Sequence, residues 1–80
     1  MKKRVVSKIF EFPVIIEKDD EGYFASCPIL QGCYTQGETY EQVLENLRDV
    51  MRLHIRDRIE AKEEIPSVHN VALTTLKVRA

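Results

Sequence analysis

Residues 22–47 read GYFASCPILQGCYTQGETYEQVLENL, and this stretch predicts a strand, a loop, a short strand and a helix in that order. Pro28 and Gly32 enclose a loop between two short apolar segments, which is typical of a hairpin connection of several residues. Thr39 is placed to cap the helix, with a glutamine three residues later as its partner in a capping box. Gly37 stands just before this cap, where the chain must turn. The stretch therefore predicts local structure, but it contains no obvious nucleophile, base or phosphate-binding loop.

A first strand is predicted upstream, from Ile9 to Glu17. One of its faces is apolar at period two and is made by Phe10, Phe12, Val14 and Ile16. Pro13 cannot donate a hydrogen bond to a neighbouring strand, so we expect a bulge or an unpaired position there. The sequence KDDEG at 18–22 then predicts a tight turn, in which Gly22 can adopt positive φ and close a hairpin.

One long helix is predicted after two further strands, which we place at Tyr23–Cys27 and Cys33–Gln36. The three strands together form an antiparallel meander. The helix runs from about Tyr40 to about Ala61, because apolar residues recur at helical spacing on one face. That face consists of Tyr40, Val43, Leu44, Leu47, Val50, Met51, His54, Ile55 and Ile59.

A last strand, about residues 71–78, is predicted after a polar connection that Pro66 interrupts. The element order is then β-β-β-α-β, an α+β fold of one sheet and one helix. Eighty residues hold a single domain, 1–80, with its core at about 9–60. No apolar run approaches the roughly 20 residues that span a bilayer, and the chain begins without a signal-peptide pattern. We therefore expect a cytoplasmic protein without a membrane segment.

A single helix covers only one face of such a sheet, and the opposite face has nothing within this chain to cover it. Apolar surface left in this state is typical of an association site. We therefore expect a homo-oligomer, with a dimer favoured, built on the uncovered face or on the edge of the last strand. The residues predicted for this interface are Ile9, Ile15, Leu73 and Leu76.

The charges are unevenly distributed, although the net charge is only −1. The first ten residues carry only basic charges, at Lys2, Lys3, Arg4 and Lys8. Between residues 11 and 50 the acids are Glu11, Glu17, Asp19, Asp20, Glu21, Glu38, Glu41, Glu45 and Asp49, against Lys18 and Arg48. An acidic body argues against binding of a phosphate backbone and is compatible with a basic protein partner, while an ordinary solvated surface remains an alternative.

The two cysteines, Cys27 and Cys33, lie on either side of the loop between Pro28 and Gly32. A disulfide, half of a metal site and two reduced, buried thiols are all compatible with this spacing. We favour the reduced thiols, because free cysteine is among the most buried residue types and no second cysteine pair is present.

No sequence pattern of a phosphate-binding loop, a zinc protease or a serine hydrolase is present. Two acid pairs, Asp19 with Asp20 and Glu41 with Glu45, could hold Mg²⁺ weakly. Turn chemistry explains the first pair, and a solvated helix face explains the second. The residues therefore predict a small binding module and not an enzyme, with no metal site and no cofactor.

The opening stretch resembles the HicB-like antitoxin family. The pattern of that family is Gly-Tyr-x-Ala, then Pro-x-Leu-x-Gly-Cys, then Thr-x-Gly-(Asp/Glu)-Thr, followed by an acidic helix start and an asparagine. The matching positions are Gly22, Tyr23, Ala25, Pro28, Leu30, Gly32, Cys33, Thr35, Gly37, Glu38, Thr39, Glu41 and Asn46. The resemblance covers about residues 9–60.

This resemblance implies a truncated ribonuclease H-like sheet and helix without the catalytic acids. It further implies that the domain binds a small, basic ribonuclease toxin (HicA-like) and occludes its RNA-binding surface, with no turnover by this chain. The acidic body suits such a partner electrostatically. Many relatives add a C-terminal DNA-binding domain, and a chain ending at Ala80 has no room for one, so we do not expect DNA binding.

The motif residues themselves are interpreted as structural. Gly22, Pro28, Gly32, Cys33, Gly37 and Thr39 make up this structural set. The residues that contact the toxin are predicted from charge and exposure alone. They are Asp19, Asp20, Glu21, Glu41 and Glu45.

Two other functions remain open from the sequence. One is a stand-alone regulatory or nucleic-acid-binding domain without a toxin partner. It would use the basic residues Lys2, Lys3, Arg4, Lys77 and Arg79, and binding to heparin or RNA that weakens with salt would favour it. The other is a small hydrolase that uses the acid pairs, for which stoichiometric binding of Mg²⁺ or Mn²⁺ would be the indication.

Overall fold

The computed structural model describes residues 9–67 and 71–80, and these ranges contain three strands and one helix. The strands are β1 (Ile15–Asp19), β2 (Gly22–Ser26) and β3 (Tyr34–Gly37), and the helix is α1 (Tyr40–Glu60). The sheet order is β1-β2-β3, and both strand pairs are antiparallel. The predicted α+β arrangement of a three-stranded meander followed by one long helix is confirmed.

The first strand begins at Ile15, so the predicted start at Ile9 is wrong. The register pairs Ile15 with Ser26, and continuing it outward would set Pro13 opposite Pro28. Neither proline has an N–H, so the ladder cannot continue past this point. The alternation of the side chains nevertheless persists upstream, since exposed and half-buried positions alternate from residue 9 to residue 17.

The loop between β2 and β3 is closed by main-chain hydrogen bonds between its two cysteines and Leu30. The Cys27 N–H donates to the Cys33 carbonyl at 2.9 Å, and the Cys33 N–H donates to the Leu30 carbonyl at 3.0 Å. Both thiols are free and buried, which confirms the interpretation as buried thiols and rules out the disulfide in this structure.

The core lies between α1 and the face of the sheet formed by β2, β3 and the loop that joins them. Its buried residues are Ala25, Cys27, Leu30, Cys33, Val43 and Leu47. Val43 and Leu47 belong to the predicted apolar face of the helix, but Tyr40 and Ile59 at its two ends are 48% and 56% exposed. Within residues 9–67 and 71–80, no helix is long and apolar enough to cross a membrane.

The predicted last strand, about 71–78, is not formed. Residues 71–80 lie outside any strand, and Leu73, Leu76 and Val78 are 89%, 81% and 85% exposed. A strand requires hydrogen bonds to a neighbouring strand, and this segment has none within the part of the chain that the structure describes. The ribonuclease H-like topology, which depends on that strand, stays a prediction.

The predicted oligomer interface consists of exposed residues. Ile9 is 87% exposed and Ile15 is 40% exposed, in addition to Leu73 and Leu76. Ile15 lies on the face of the sheet opposite α1, where Phe24 and Tyr34 also stack with ring centroids 5.8 Å apart. This apolar face is uncovered in the single chain, and the oligomer itself stays a prediction.

Candidate partner-binding surface

The turn between β1 and β2 lies beside the start of α1, and a crevice of about 360 Å³ separates them. The crevice is lined by Asp19, Glu21, Gly22, Tyr23, Phe24, Gln36, Gly37, Glu38, Gln42 and Asn46. We call this part of the molecule the acidic end and define it by six carboxylates, which lie at the β1–β2 turn, just before the helix cap and in the first two turns of the helix. They are Asp19, Asp20, Glu21, Glu38, Glu41 and Glu45.

Two glycines bring the strands and the helix close together at the acidic end. Gly22 has φ of +136°, a conformation that L side chains rarely adopt, and a Cβ there would lie 2.9 Å from the Gly37 carbonyl oxygen. A Cβ on Gly37 would lie 2.7 Å from the Val43 nitrogen. Both distances are shorter than van der Waals contact, so glycine is required at both positions for the turn and the helix to meet.

The predicted helix cap forms, with one difference from the expected capping box. The Thr39 hydroxyl oxygen accepts a hydrogen bond from the Gln42 N–H at 3.0 Å. The Gln42 side-chain oxygen returns to the N–H of Glu38 and not to that of Thr39. The hydrogen bonds therefore hold Glu38 against the helix start and fix the direction in which the chain enters the helix.

Asn46 ties the helix to the edge of the sheet. Its side-chain nitrogen donates to the Gln36 carbonyl oxygen at 2.9 Å. Hydrogen-bonded and non-hydrogen-bonded residue pairs alternate along antiparallel strands, and the Cys27–Cys33 pair is hydrogen-bonded. Counting from that pair, Phe24 and Gln36 form a non-hydrogen-bonded pair, so the Gln36 carbonyl points away from β2. This role was not predicted. The signal in the sequence was an amide residue of low helix propensity in the middle of an amphipathic helix.

The structure brings together only part of the predicted contact set. Asp19 and Glu21 line the crevice, and the Glu21 N–H donates to the Asp19 carboxylate at 2.8 Å, which braces the turn. Asp20 is exposed in the same turn, while Glu41 and Glu45 are exposed on α1 but do not line the crevice. Glu38 lines the crevice and was not in the predicted set.

The acidic end keeps its negative charge. None of its six carboxylates forms an ion pair with another described residue. The ion pair that the described residues do form joins Arg52 to Asp49, outside the acidic end. The nearest base in sequence, Lys18, places its Nζ over the Tyr23 ring, 5.9 Å from the centroid. The helix N-terminus contributes a partial positive charge that stabilises the carboxylates without neutralising them. The basic segment of residues 1–8 lies outside the described residues.

A second surface runs along the other end of α1 as an apolar groove of about 780 Å³. One row of helix residues forms its floor, and a neighbouring row of arginines forms its rim. The floor residues are Leu47, Met51, Ile55 and Ile59, and the rim residues are Arg48, Arg52 and Arg56. The opposite wall is the segment before β1, through Ile9, Phe10 and Val14.

The buried cysteine pair is not arranged for nucleophilic chemistry. Burial raises the pKa of the Cys33 thiol, and the neighbouring Cys27 raises it further. A raised thiol pKa keeps the group protonated at neutral pH, whereas a nucleophilic cysteine requires the thiolate. Within residues 9–67 and 71–80, no three His, Cys, Asp or Glu side chains are grouped so that they could hold a metal ion.

The chain is similar to several known proteins, including UPF0150 proteins and an antitoxin. The family model for HicB-like antitoxins of bacterial toxin–antitoxin systems matches residues 12–78. A UPF0150 protein of Synechocystis is 37% identical over 60 residues, which cover 74% of this chain and 76% of that protein. A UPF0150 protein of Helicobacter pylori is 47% identical over 49 residues, which cover 61% of this chain and 67% of that protein.

A relative named as an antitoxin is longer than this chain. Antitoxin HicB 1 of Photorhabdus laumondii is 36% identical over 64 residues, which cover 79% of this chain but 41% of that protein. The similarity is therefore to one part of that antitoxin. No solved structure matches the chain.

Proposed function

The chain belongs to the HicB-like antitoxin family of bacterial toxin–antitoxin systems, and we propose that it neutralises a small, basic ribonuclease toxin of the HicA-like type. In this proposal the chain covers the RNA-binding surface of the toxin. It performs no catalytic turnover and needs no cofactor. Because RNA is found in the cytoplasm of bacteria, the proposal also places the pair there.

The observation that carries the proposal is the concentration of unpaired carboxylates at the acidic end. A ribonuclease binds the phosphate backbone of RNA with lysines and arginines, so its RNA-binding surface is positively charged. A cluster of carboxylates competes with RNA for the same cations and attracts the toxin over a distance of about 10 Å at 0.1 M salt. The contact residues we propose are Asp19, Asp20, Glu21, Glu41 and Glu45, together with Glu38.

The local hydrogen bonds of the acidic end favour tight binding. The Asp19 carboxylate is held by the Glu21 N–H, and the Gln42 side chain holds the backbone at Glu38. A surface that is ordered before binding loses less conformational entropy when the partner arrives. The Asp19 carboxylate and the main chain at Glu38 are therefore positioned before a partner arrives.

The first experiment is a native pull-down of this chain from its host, with the recovered proteins identified by mass spectrometry. We expect a small basic protein in stoichiometric amount. Recovery of nucleic acid in place of a protein would contradict the proposal and would favour the stand-alone nucleic-acid-binding alternative.

The second experiment compares charge reversal at two places in the chain. The test variant carries Asp19→Lys, Asp20→Lys and Glu21→Lys, and the control variant carries Glu60→Lys, Glu63→Lys and Glu64→Lys. Both variants change the net charge by the same amount, but only the first alters the acidic end. We expect the test variant to raise the Kd for the toxin at low salt by about tenfold or more, and the control to leave it nearly unchanged. An equal loss in both variants, or no loss in the first, would overturn the proposed contact surface.

A further inference from the structure

The face of the sheet opposite α1, which we call the open face, carries a stacked pair of aromatic rings. Side chains two apart in a strand share a face, and Ala25 is buried against the helix, so Phe24 projects from the opposite side of β2. The ring centroids of Phe24 and Tyr34 lie 5.8 Å apart, with 28° between the ring planes. Neither ring packs against the buried core, and Tyr34 is 57% exposed. The pair therefore leaves aromatic surface available to another molecule.

The strand register places one polar side chain on each side of Phe24. Glu17 of β1 is opposite Phe24, and so is Gln36 of β3. Side chains opposite each other in neighbouring strands have their Cβ atoms about 5 Å apart, so both polar groups can reach a ligand that rests on the rings. Glu17 and Gln36 are exposed. The side chains of the open face are Ile15, Glu17, Phe24, Ser26, Tyr34 and Gln36, and Asp19 lies at its edge.

The charged groups of the open face are carboxylates. Glu17 and Asp19 lie on this side of β1. Lys18 lies on the other side, where its Nζ is 5.9 Å from the centroid of the Tyr23 ring. No ion pair within residues 9–67 and 71–80 involves Glu17. The face of an aromatic ring also carries negative electrostatic potential, so the rings and the carboxylates favour the same kind of occupant, a cation.

The open face continues into the acidic end. Phe24 and Gln36 line the crevice of about 360 Å³ at the acidic end. Three of the carboxylates that define the acidic end, Asp19, Glu21 and Glu38, line the same crevice. A partner that lies on the acidic end therefore lies beside the aromatic pair as well.

We propose that the open face binds an arginine side chain of the basic toxin, with the guanidinium against the Phe24–Tyr34 pair and hydrogen-bonded to the Glu17 carboxylate. The Gln36 side-chain oxygen is placed to accept a further hydrogen bond. This inference rests on the proposed antitoxin function. It adds an aromatic anchor to a contact surface that was assigned from charge and exposure.

The chemistry of the open face favours arginine over lysine. A guanidinium is planar and weakly hydrated, so it stacks on an aromatic ring while its N–H groups donate to a neighbouring carboxylate. The lysine ammonium is compact and strongly hydrated, and it has no plane to lie against a ring. A flat aromatic pair with a carboxylate beside it therefore matches the guanidinium in both shape and charge.

Two other occupants fit the open face less well. Nucleic-acid bases stack on exposed aromatic side chains, but their phosphates would meet Glu17, Asp19 and the carboxylates of the acidic end. A second copy of this chain, packed face to face, would bring its own carboxylates to a surface on which the described strands place no base. A basic protein supplies the missing positive charge.

The test uses the basic protein recovered in the pull-down and measures its Kd for single variants of the chain. Tyr34→Leu removes the ring but keeps apolar surface, and we expect it to raise the Kd about fivefold. Tyr34→Phe keeps the ring and should bind within about twofold of the native chain. An equal loss in both variants would assign the contact to the hydroxyl group and would contradict stacking. Circular dichroism checks that each variant is folded.

The carboxylate is tested in the same assay at low salt. Glu17→Gln removes the charge beside the rings and should raise the Kd about fivefold. Glu64→Gln is the matched control, because it removes an exposed carboxylate beyond the end of α1 and should leave the Kd nearly unchanged. Equal Kd values for the two variants would exclude Glu17 from the contact.

The arginine is identified from the side of the partner. Each arginine of the recovered protein is replaced by lysine in turn, and the Kd is measured against the native chain and against Tyr34→Leu. One replacement should weaken binding to the native chain, and Tyr34→Leu should then cause little further loss, because substitutions on two sides of one contact are not additive. If no replacement behaves in this way, the guanidinium contact is wrong.

Four results would overturn binding of the toxin through the open face. The first is unchanged affinity of Tyr34→Leu for a basic protein that the native chain binds, which would leave the antitoxin function standing. The second is recovery of no basic protein, which would remove the antitoxin function and the arginine contact together. The third is a mass of twice 9.3 kDa for the chain alone that returns to 9.3 kDa in Tyr34→Leu, which would show that a second copy covers the open face. The fourth is binding of RNA by the chain alone that Tyr34→Leu abolishes.

Discussion

The acidic end differs from the end of the molecule formed by the second half of α1, which lines the apolar groove and which we call the groove end. The two ends differ in how far their side chains are paired or covered within the chain. At the acidic end, Asp19, Thr39 and Asn46 each make a hydrogen bond to the nearby main chain. At the groove end, Leu53 and Ile59 are more than half exposed, and residues 71–80 pair with none of the described strands. The first region is held together by hydrogen bonds within the chain, whereas the second leaves apolar side chains exposed.

The difference between the two ends follows from the lengths of the elements. The helix has 21 residues and each strand has at most five. At 1.5 Å per residue the helix is about 32 Å long, whereas a five-residue strand is about 17 Å long. The helix begins near the acidic end, where each strand also has one of its ends, so the second half of the helix extends beyond the sheet. Its apolar face continues there without a sheet to cover it.

The largest loss of stability is expected from Gly37→Ala, which would force the start of α1 away from the strands at the acidic end. The new Cβ would lie 2.7 Å from the Val43 nitrogen, and a main-chain atom cannot move away as a flexible side chain can. We expect the free energy of unfolding to fall by about 3 kcal/mol. Urea unfolding followed by circular dichroism measures it. Gln36→Ala, one residue earlier with an exposed side chain, is the control, and a similar loss in both would contradict the close-approach explanation.

A smaller effect is expected from Asn46→Asp, which detaches the helix from β3. The carboxylate replaces a donor with an acceptor and faces the Gln36 carbonyl oxygen, so an attraction becomes a repulsion. We expect a loss of about 1.5 to 2 kcal/mol in the free energy of unfolding above pH 6, and about 1 kcal/mol for Asn46→Ala. If the alanine variant lost as much as the aspartate variant, repulsion at the carbonyl would not be the cause.

Thr39→Ala removes the helix cap and is expected to cost about 1 kcal/mol of stability. The Gln42 N–H loses its side-chain acceptor, which lies at 3.0 Å in the native chain. Thr39→Ser retains the hydroxyl and should unfold within a few tenths of a kcal/mol of the native chain. Thermal unfolding of the three proteins at one pH provides the comparison, and equal destabilisation by serine would argue against a capping role.

The buried thiol predicts a loss of stability in alkali. The folded pKa of Cys33 is raised above its ordinary value of 9.0, so the unfolded chain releases this proton more readily than the folded chain. The free energy of unfolding is therefore unaffected well below that value and falls as the pH rises through and above it. Urea unfolding between pH 7 and pH 10 should show a steeper decline for the native chain than for Cys33→Ala. Parallel declines would assign the pH dependence to other groups.

The features that could be predicted from the sequence are those with local causes. The start of the helix at Tyr40 follows from the cap at Thr39, and its end lies within one residue of the predicted position. The meander follows from the turn residues and Gly22. These signals lie within a few residues of the structure that they specify, so one sequence is enough to recognise them.

The features that were missed depend on pairs of residues far apart in the chain. The true start of β1 is explained by the strand register, which would set Pro13 opposite Pro28 if it continued past Ile15. The bond from Asn46 to Gln36 and the place of Glu38 in the crevice require the packing of helix on sheet. Residues 71–80 show the same limit, because their sequence pattern indicates a strand, but a strand forms only beside a partner strand.

The smallest effect is expected from Arg52→Ala, at the groove end. Arg52 forms an ion pair with Asp49 at 3.0 Å, but the two side chains are 57% and 65% exposed. Water and salt screen such a pair, so we expect a change below about 0.5 kcal/mol in the free energy of unfolding. Asp49→Ala should change the free energy of unfolding by a similar amount, because neither side chain forms another described hydrogen bond. A loss above 1 kcal/mol that persisted in 0.5 M salt would show that Arg52 acts through packing of its stem on the groove. The groove end would then contribute to the fold of the single chain as the acidic end does, and the contrast between the two ends would be weaker than the exposures indicate.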